Sequence, residues 1–405
     1  MNDIRKELNI DIQSPYWDEA YNLAFTSPDV PEWLTEEYLR GLHASLGVLP
    51  KSLKTLVSAI PHIVKVPALC LLAKTLYHIL ATKKGFGEAF TSFELPKAPE
   101  GEENTIAYDC VVIFPIIAHL RPSWEVLRAR GIEESVCRDS LLWADSLFSG
   151  DSEKAGKPYF SLGMFKAYGV AIYVNSLIIG RLRFELYQNS ERPARVFENK
   201  NGEFCVLMEN TRIHRSGQIL GSYGATDEDG AYDADFKETE DAYEGYAVNK
   251  KTRLAENFRT RLSKKEWKQV YASGDSAIKV HIPYGGKLDK ESCEDSYRRA
   301  KEIFEKSYPE YDFKGFLICC WMLSPELRDI LSPESNIIAF QDKYTVFPSK
   351  SSAADAFLYV FKKEVSSVSD ISIEELPEDN SLMQGVKKKA LEGKYIHQCN
   401  GFFPW

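Results

Sequence analysis

The chain has 405 residues, of which 44% are hydrophobic and 27% charged, with a formal net charge of −9 and eight cysteines. This length exceeds what one hydrophobic core organises, and the composition is that of a folded protein of two or three domains. The negative balance excludes nucleic-acid binding as the main activity, which needs a basic face, but leaves room for a local basic pocket around a phosphorylated cofactor.

The opening residues MNDIRKELNI are charged and lack the apolar core of a signal peptide, so a cytoplasmic protein is expected. The most apolar run, VPALCLLAKTLYHIL at 66–80, carries Lys74 and His78 and is too short to span a bilayer. It reads as a buried helix, and no membrane association is expected. The cysteines are scattered, and none falls in a C-x-x-C or other metal-ligand spacing, so no disulfide framework and no metal are expected.

Residues 1–176 show helical periods and almost no alternation, which predicts an all-helical N-terminal domain. Thr35 is placed to cap a helix in which Tyr38, Leu39 and Leu42 share one side. Further helices are predicted in SLKTLVSAI, PALCLLAKTLYHIL, YDCVVIFPIIAHL and ESVCRDSLLWADSLF, kinked or separated at Pro61, Pro67 and Pro115. GMFKAYGVAIYVNSLI is expected to be the last of them.

From residue 177 the period changes. GRLRFELYQ alternates Leu182, Phe184 and Leu186 with Arg181, Arg183 and Glu185, a half-buried strand. ARVFENKNGEFCVLMENTRIH predicts a hairpin turned at Asn199–Gly202. Residues 226–246 carry nine carboxylates and one lysine, a density that cannot be buried, so a solvated loop is expected; a calcium loop fails on spacing, and a mobile lid is a third reading.

AIKVHIPYGGKLDKESCEDSYRRAKEIF, residues 277–304, runs from a strand through a glycine turn into an amphipathic helix. Asp289 is placed as N-cap, and Cys293, Tyr297, Ala300 and Phe304 form the buried stripe. Such a strand–turn–helix presents free N–H groups to an anion, with Lys287 beside it. The spacing is neither a P-loop nor a dinucleotide fingerprint, so a plain structural turn stays open beside the phosphate cradle. The apolar run Phe316–Leu323 predicts a central strand, parallel across the helix to the strand that carries Ile278, Val280 and Ile282, with ligand expected at the carboxyl ends. This gives strands and helices in one α+β unit. After residue 363 the tail is polar, with a helix expected in SLMQGVKKKALEGKYIHQ and a terminal GFFPW apolar enough to dock on the body.

Taken in order, IIGRLRFEL, EGYAVNKKTRL, SKKEWKQVYASGDSAIKVHIPYGGKL, GFLICCWMLSPELRDIL and SNIIAFQDKYTVFP resemble the two-domain putative acyltransferases of bacteria. That resemblance implies a helical N-terminal domain (1–176), a GNAT-like mixed-sheet domain (177–363) and a C-terminal tail (364–405). It implies acetyl-CoA or another acyl-CoA as co-substrate and acyl transfer to an amine on a small molecule or protein; a non-catalytic GNAT-like binding protein is the alternative. It places Tyr284, Gly285, Gly286, Lys287 and Trp321 at the cofactor. His281 is the candidate base, Tyr344 or Ser324 the candidate proton donor, and Cys320 a candidate nucleophile. Two features depart from the family pattern: PYGGKL lacks the usual Q/R-x-x-G-x-G/A loop, and PELRDIL lacks the tyrosine that commonly serves as acid.

Overall fold

The computed structural model describes residues 4–84, 86–169, 176–188, 190–283, 285–363 and 367–405. The chain divides into two compact units, Met1–Ile179 and Gly180–Trp405.

In the first unit the principal helices are α1 (Trp17–Thr26), α2 (Glu36–Leu46), α3 (Leu53–Val64), α4 (Pro67–Leu80) and α5 (Glu134–Ala155). Thr35 Oγ1 accepts from the Tyr38 N–H at 3.2 Å, and Gly47 closes α2 in the left-handed conformation. Pro67 stands at the start of α4, where its missing N–H costs nothing, and the chain bends by 117° between α3 and α4. Leu69, Leu72, Ala73, Leu76 and Ile79 of α4 are fully buried in one apolar core with Ile113, Phe114 and Ile117. Among the described residues, no single helix is long and apolar enough to cross a membrane. The helix expected over 163–178 ends at Gly169, and Ser176–Ile179 is a strand, because β-branched and apolar residues there follow no helical stripe; residues 170–175 lie outside the described residues.

Among the described residues, the second unit carries one two-stranded ladder and two large sheets. One is built from β2 (Ala194–Asn199), β3 (Phe204–Met208), β4 (Ala242–Val248), β5 (Ala255–Ser263) and β6 (Trp267–Tyr271), in the order β5-β4-β3-β2-β6. The β2–β3 hairpin turns at Asn199–Gly202 as expected, with Gly202 at φ +76°. The acidic segment is not a loop throughout. Tyr232–Ala234 pairs with Thr211–Ile213, and β4 is an interior strand of its sheet. Its carboxylates occupy outward positions and meet cations there: Asp241 and Glu244 pair with Arg261, and Glu238 with Lys264. Charge density therefore kept side chains, rather than backbone, in water.

The other sheet contains β1 (Leu182–Tyr187), β7 (Ala277–His281), β8 (Gly315–Cys320), β9 (Thr345–Pro348) and β10 (Cys399–Pro404), ordered β9-β10-β8-β7-β1. β7 and β8 are parallel and are joined through α6 (Lys290–Ser307), as the sequence led us to expect. Cys293, Tyr297, Ala300 and Phe304 of α6 are buried, and Asp289 accepts from the Ser292 N–H at 2.9 Å. The apolar run 316–323 is strand only to Cys320, after which Trp321–Leu323 turns as a 3₁₀ helix. The C-terminal helix forms at Ser381–Leu391. The terminal segment does more than dock: it is β10, hydrogen-bonded between β8 and β9.

Candidate functional site

β8 is paired unequally on its two edges. Against β10 the ladder runs through all six residues, from Gly315↔Pro404 to Cys320↔Cys399. Against β7 it contains only Ile278↔Phe316 and Lys279↔Leu317. The parallel ladder thus ends at Leu317, and beyond it no ladder pair joins His281 to the stretch Ile318–Cys320 at the carboxyl ends, a candidate wedge where ligands of parallel strand pairs sit.

The glycine turn stands at the mouth of this wedge. Gly285 and Gly286 have φ of +85° and +71°, a consecutive left-handed pair that side chains with a Cβ resist. The amides of Gly285, Gly286 and Lys287 donate to no partner among the described residues, and all three residues are exposed. The carbonyls of the turn are held instead. Arg181 Nη1 donates to Pro283 O at 2.9 Å, Nε to Lys287 O at 2.9 Å and Nη2 to Gly286 O at 3.3 Å. The Arg181 amide itself is fixed by Ser296 Oγ of α6 at 2.8 Å. With its carbonyls gathered on one guanidinium, the turn presents outward-facing donors beside a positive charge, the makings of an anion nest. Asp289 takes the third amide of α6, so the free donors belong to the glycine turn more than to the helix end. Tyr284 lies outside the described residues.

On the β1–β7 face opposite α6, Lys279 pairs with Glu185 and His281 with Arg183 across the ladder. His281 Nε2 lies 2.7 Å from Glu185 Oε2. Burial pushes the imidazole down to about 4, opposed by the hydrogen bond to Glu185 and reinforced by Arg183. Burial also raises the Glu185 carboxyl, but the bond to His281 and the charge of Lys279 outweigh it and leave the group below its ordinary value. At neutral pH a neutral imidazole therefore faces a carboxylate. Nε2–H is the donor and Nδ1 keeps its lone pair.

The other candidates lie elsewhere around β8. Cys320 follows the alternation onto the α6 face, away from His281, and burial raises its thiol to about 12. Tyr344 is 4% exposed, and its hydroxyl is 2.6 Å from that of Tyr297, also under α6. Burial holds both phenols well above their ordinary value. Ser324 is 1% exposed, in the turn after Trp321, and its carbonyl accepts from Gln341 Nε2. Trp321 is largely buried and stacks on Tyr359 with centroids 6.4 Å apart. The structure thus groups His281 with Glu185 and the glycine turn with Arg181, and sets Cys320 and Tyr344 on the opposite face. Arg181 and Glu185 were not singled out from the sequence. Their signal was the alternation of GRLRFELYQ, which aligns Arg183 and Glu185 on one face without naming the strand opposite. Among the described residues no group of three or more His, Cys, Asp or Glu is placed to hold a metal ion.

Residues 177–403 match the profile of the GNAT-like C-terminal domain. Over 99% of this chain and 98% of the other, the fold is similar to a solved acyltransferase in complex with decanoyl-CoA and teicoplanin, at TM-score 0.64 and 18% identity. An acyltransferase in complex with CoA and 10C-teicoplanin matches over the same shares at TM-score 0.64 and 18% identity. One in complex with decanoyl-CoA alone does so at TM-score 0.62 and 17% identity. No curated protein matches the sequence. The match covers more than half the residues, and a parallel β7–β8 ladder that ends before a glycine turn agrees with it: the chain belongs to the family of the GNAT-like C-terminal domain.

Proposed function

We propose that the protein is an acyl-CoA-dependent N-acyltransferase that acts on an amine of a small molecule. The observation that carries this reading is the β7–β8 ladder, which stops at Lys279↔Leu317 ahead of a turn whose three amides have no partner among the described residues. The wedge takes the pantetheine arm, and Gly285, Gly286, Lys287 and Arg181 meet the pyrophosphate. Tyr284 and Trp321 complete the cofactor side, as the family resemblance implies. Solved proteins of the same fold hold decanoyl-CoA with teicoplanin, which supports an acyl-CoA donor and a small-molecule acceptor.

In this reading the amine attacks the thioester carbonyl, the C–S bond breaks, and CoA leaves as a thiolate that takes up a proton. His281 Nδ1 accepts the amine's proton, with Glu185 holding the ring. Its low basicity makes it a weak acceptor, and the gain comes from orientation. Ser324, which follows β8 at the end of the Trp321–Leu323 turn, is the candidate for returning a proton, since Tyr344 is engaged with Tyr297 on the opposite face. Cys320 as nucleophile is disfavoured by the raised pKa of its thiol. A cytoplasmic site of action, where acyl-CoA is supplied, goes with this assignment.

The test is calorimetric titration with CoA and decanoyl-CoA, followed by thiol release in the presence of an amine panel. Saturable binding of both and amine-dependent release of CoA are expected. Absence of any binding at millimolar ligand overturns the cofactor site. Binding without release on any amine favours the non-catalytic reading, for which the departure of PYGGKL from the family loop speaks.

A further inference from the structure

A second chemical constellation lies in the turn HRSGQ, 214–218, between the strand Thr211–Ile213 and Ile219. His214 is 5% exposed. Its Nδ1 is 2.8 Å from Ser216 Oγ, and its Nε2 is 3.1 Å from Asp227 Oδ2. The hydrogen bond from His214 is the main reason the Asp227 carboxyl lies below its ordinary value. Asp227 is therefore an acceptor only, Nε2–H donates to it, and the one Nδ1 lone pair is shared between the Ser216 hydroxyl, the shorter contact, and the Ser216 N–H. The Ser216 N–H also points at Nδ1, at 3.2 Å, which fixes the ring against its own turn. Arg215 Nη1 holds the second Asp227 oxygen at 3.2 Å.

The backbone makes this arrangement rigid. Gly217 has φ +87°, and a Cβ there would lie 2.4 Å from Ala255 O, so only glycine fits. Its N–H returns to His214 O at 2.8 Å, and the His214 N–H donates to Gln218 O at 2.8 Å. Ile213 and Ile219 anchor the turn in the same apolar core as Ala277, Leu317 and Phe402. The imidazole is thus sheltered while the Ser216 residue is exposed. A carboxylate–imidazole–hydroxyl chain with a buried base and an open hydroxyl is the arrangement that activates an alcohol for attack.

We propose that Ser216 is a nucleophile for activated acyl groups, carboxylic esters or thioesters, with His214 as its base and Asp227 as a positioning residue. Ser216 Oγ forms a bond to the acyl carbonyl carbon while its proton passes to His214 Nδ1. The bond from that carbon to the leaving oxygen or sulfur breaks, and the leaving group takes the proton from His214. Water, giving its proton to His214, then splits the Ser216 ester to a carboxylic acid and restores the hydroxyl. The site is separate from the glycine turn and its chemistry does not require CoA.

The test treats the full chain with a fluorophosphonate and with p-nitrophenyl acetate, and maps adducts by peptide mass. One phosphonyl adduct on Ser216 is expected, absent in Ser216→Ala. Asp227→Asn slows labelling at least tenfold with unchanged circular dichroism, and Asp227→Glu restores part of the rate. Both positions are at the surface, so the test stays readable even if His214→Ala fails to fold. An unlabelled wild-type chain, an adduct on another residue, or wild-type rates in Asp227→Asn overturn the proposal and leave a turn held by hydrogen bonds alone. CoA titration of the same preparation reads the cofactor site independently, so failure of one proposal is distinguishable from failure of the other.

Discussion

The two flanks of β8 differ in chemistry as well as in pairing. Toward β10 the neighbours are apolar: Phe402 is fully buried and stacked on Tyr271 at 4.9 Å, and Phe403 stacks on Phe316 at 4.8 Å. Toward β7 and β1, at and just beyond the last rung of the ladder, stand Arg183, Glu185, Lys279 and His281, all half-buried. A backbone edge left unpaired beside apolar side chains would be costly, so the sheet closes there. Beside charged side chains and at the protein surface, the same edge can open for a ligand. One strand serves as scaffold on one side and as wall of a cleft on the other.

Breaking the closed flank has the largest effect. Phe402→Ala removes a fully buried ring from the strand that bridges β8 and β9, and costs about 3–5 kcal/mol, the usual range for a core phenylalanine. Urea unfolding measures it; a loss under about 1 kcal/mol shows that β10 is dispensable. On the open flank the next effect is electrostatic. The unfolded imidazole of His281 takes a proton near pH 6.5, whereas the folded one holds out to about 4. Stability therefore falls as pH drops from 6.5 to 4 and levels below it, by up to about 3 kcal/mol. His281→Asn flattens that slope, while the part due to His119, stacked on Tyr77 in the helical unit and lowered to about 4 by burial, persists. An unchanged slope means that His281 titrates in the fold as it does in the unfolded chain. In the same variant, turnover should fall more than acceptor affinity.

How much of this was legible follows the range over which each signal acts. The stripe of α6 and the Asp289 and Thr35 caps are local, lying within one or two helical turns, and they formed as read. The parallel β7–β8 pair was legible because a strand–helix–strand order leaves few alternatives. β10 was not: a short apolar segment gives no hint that it inserts between two strands at 315–320 and 345–348. Nor was Glu185, 96 positions from His281, because cross-strand register cannot be read from either strand alone. Asp227 was visible only as one charge among nine; its role depends on where Tyr232–Ala234 pairs, which brings the acidic segment back onto His214.

Two smaller effects sharpen the account of the open flank. Gly286→Val requires a β-branched residue at φ +71°, though its Cβ would meet only Arg181 at an ordinary 3.5 Å. Strain of about 1–2 kcal/mol then distorts the turn without crowding the core. CoA affinity should drop about tenfold with the melting temperature lowered by only a few degrees. Equal CoA affinity would remove the turn from the binding site.

Arg181→Lys is the mildest of these changes and separates charge from shape. The guanidinium fork donates to three carbonyls at once, at Pro283, Gly286 and Lys287. An ammonium keeps the positive charge but lacks the planar geometry that spans them. If Arg181 acts mainly by field, CoA binding in this variant stays at wild-type strength and loses the same share with added salt. If it acts by gathering the carbonyls so that the amides of 285–287 face outward, affinity falls a few-fold at every salt concentration. The second outcome is expected, because the three short contacts go to the turn's own backbone. A lysine that binds CoA as well as the arginine would assign the open flank's affinity to charge alone.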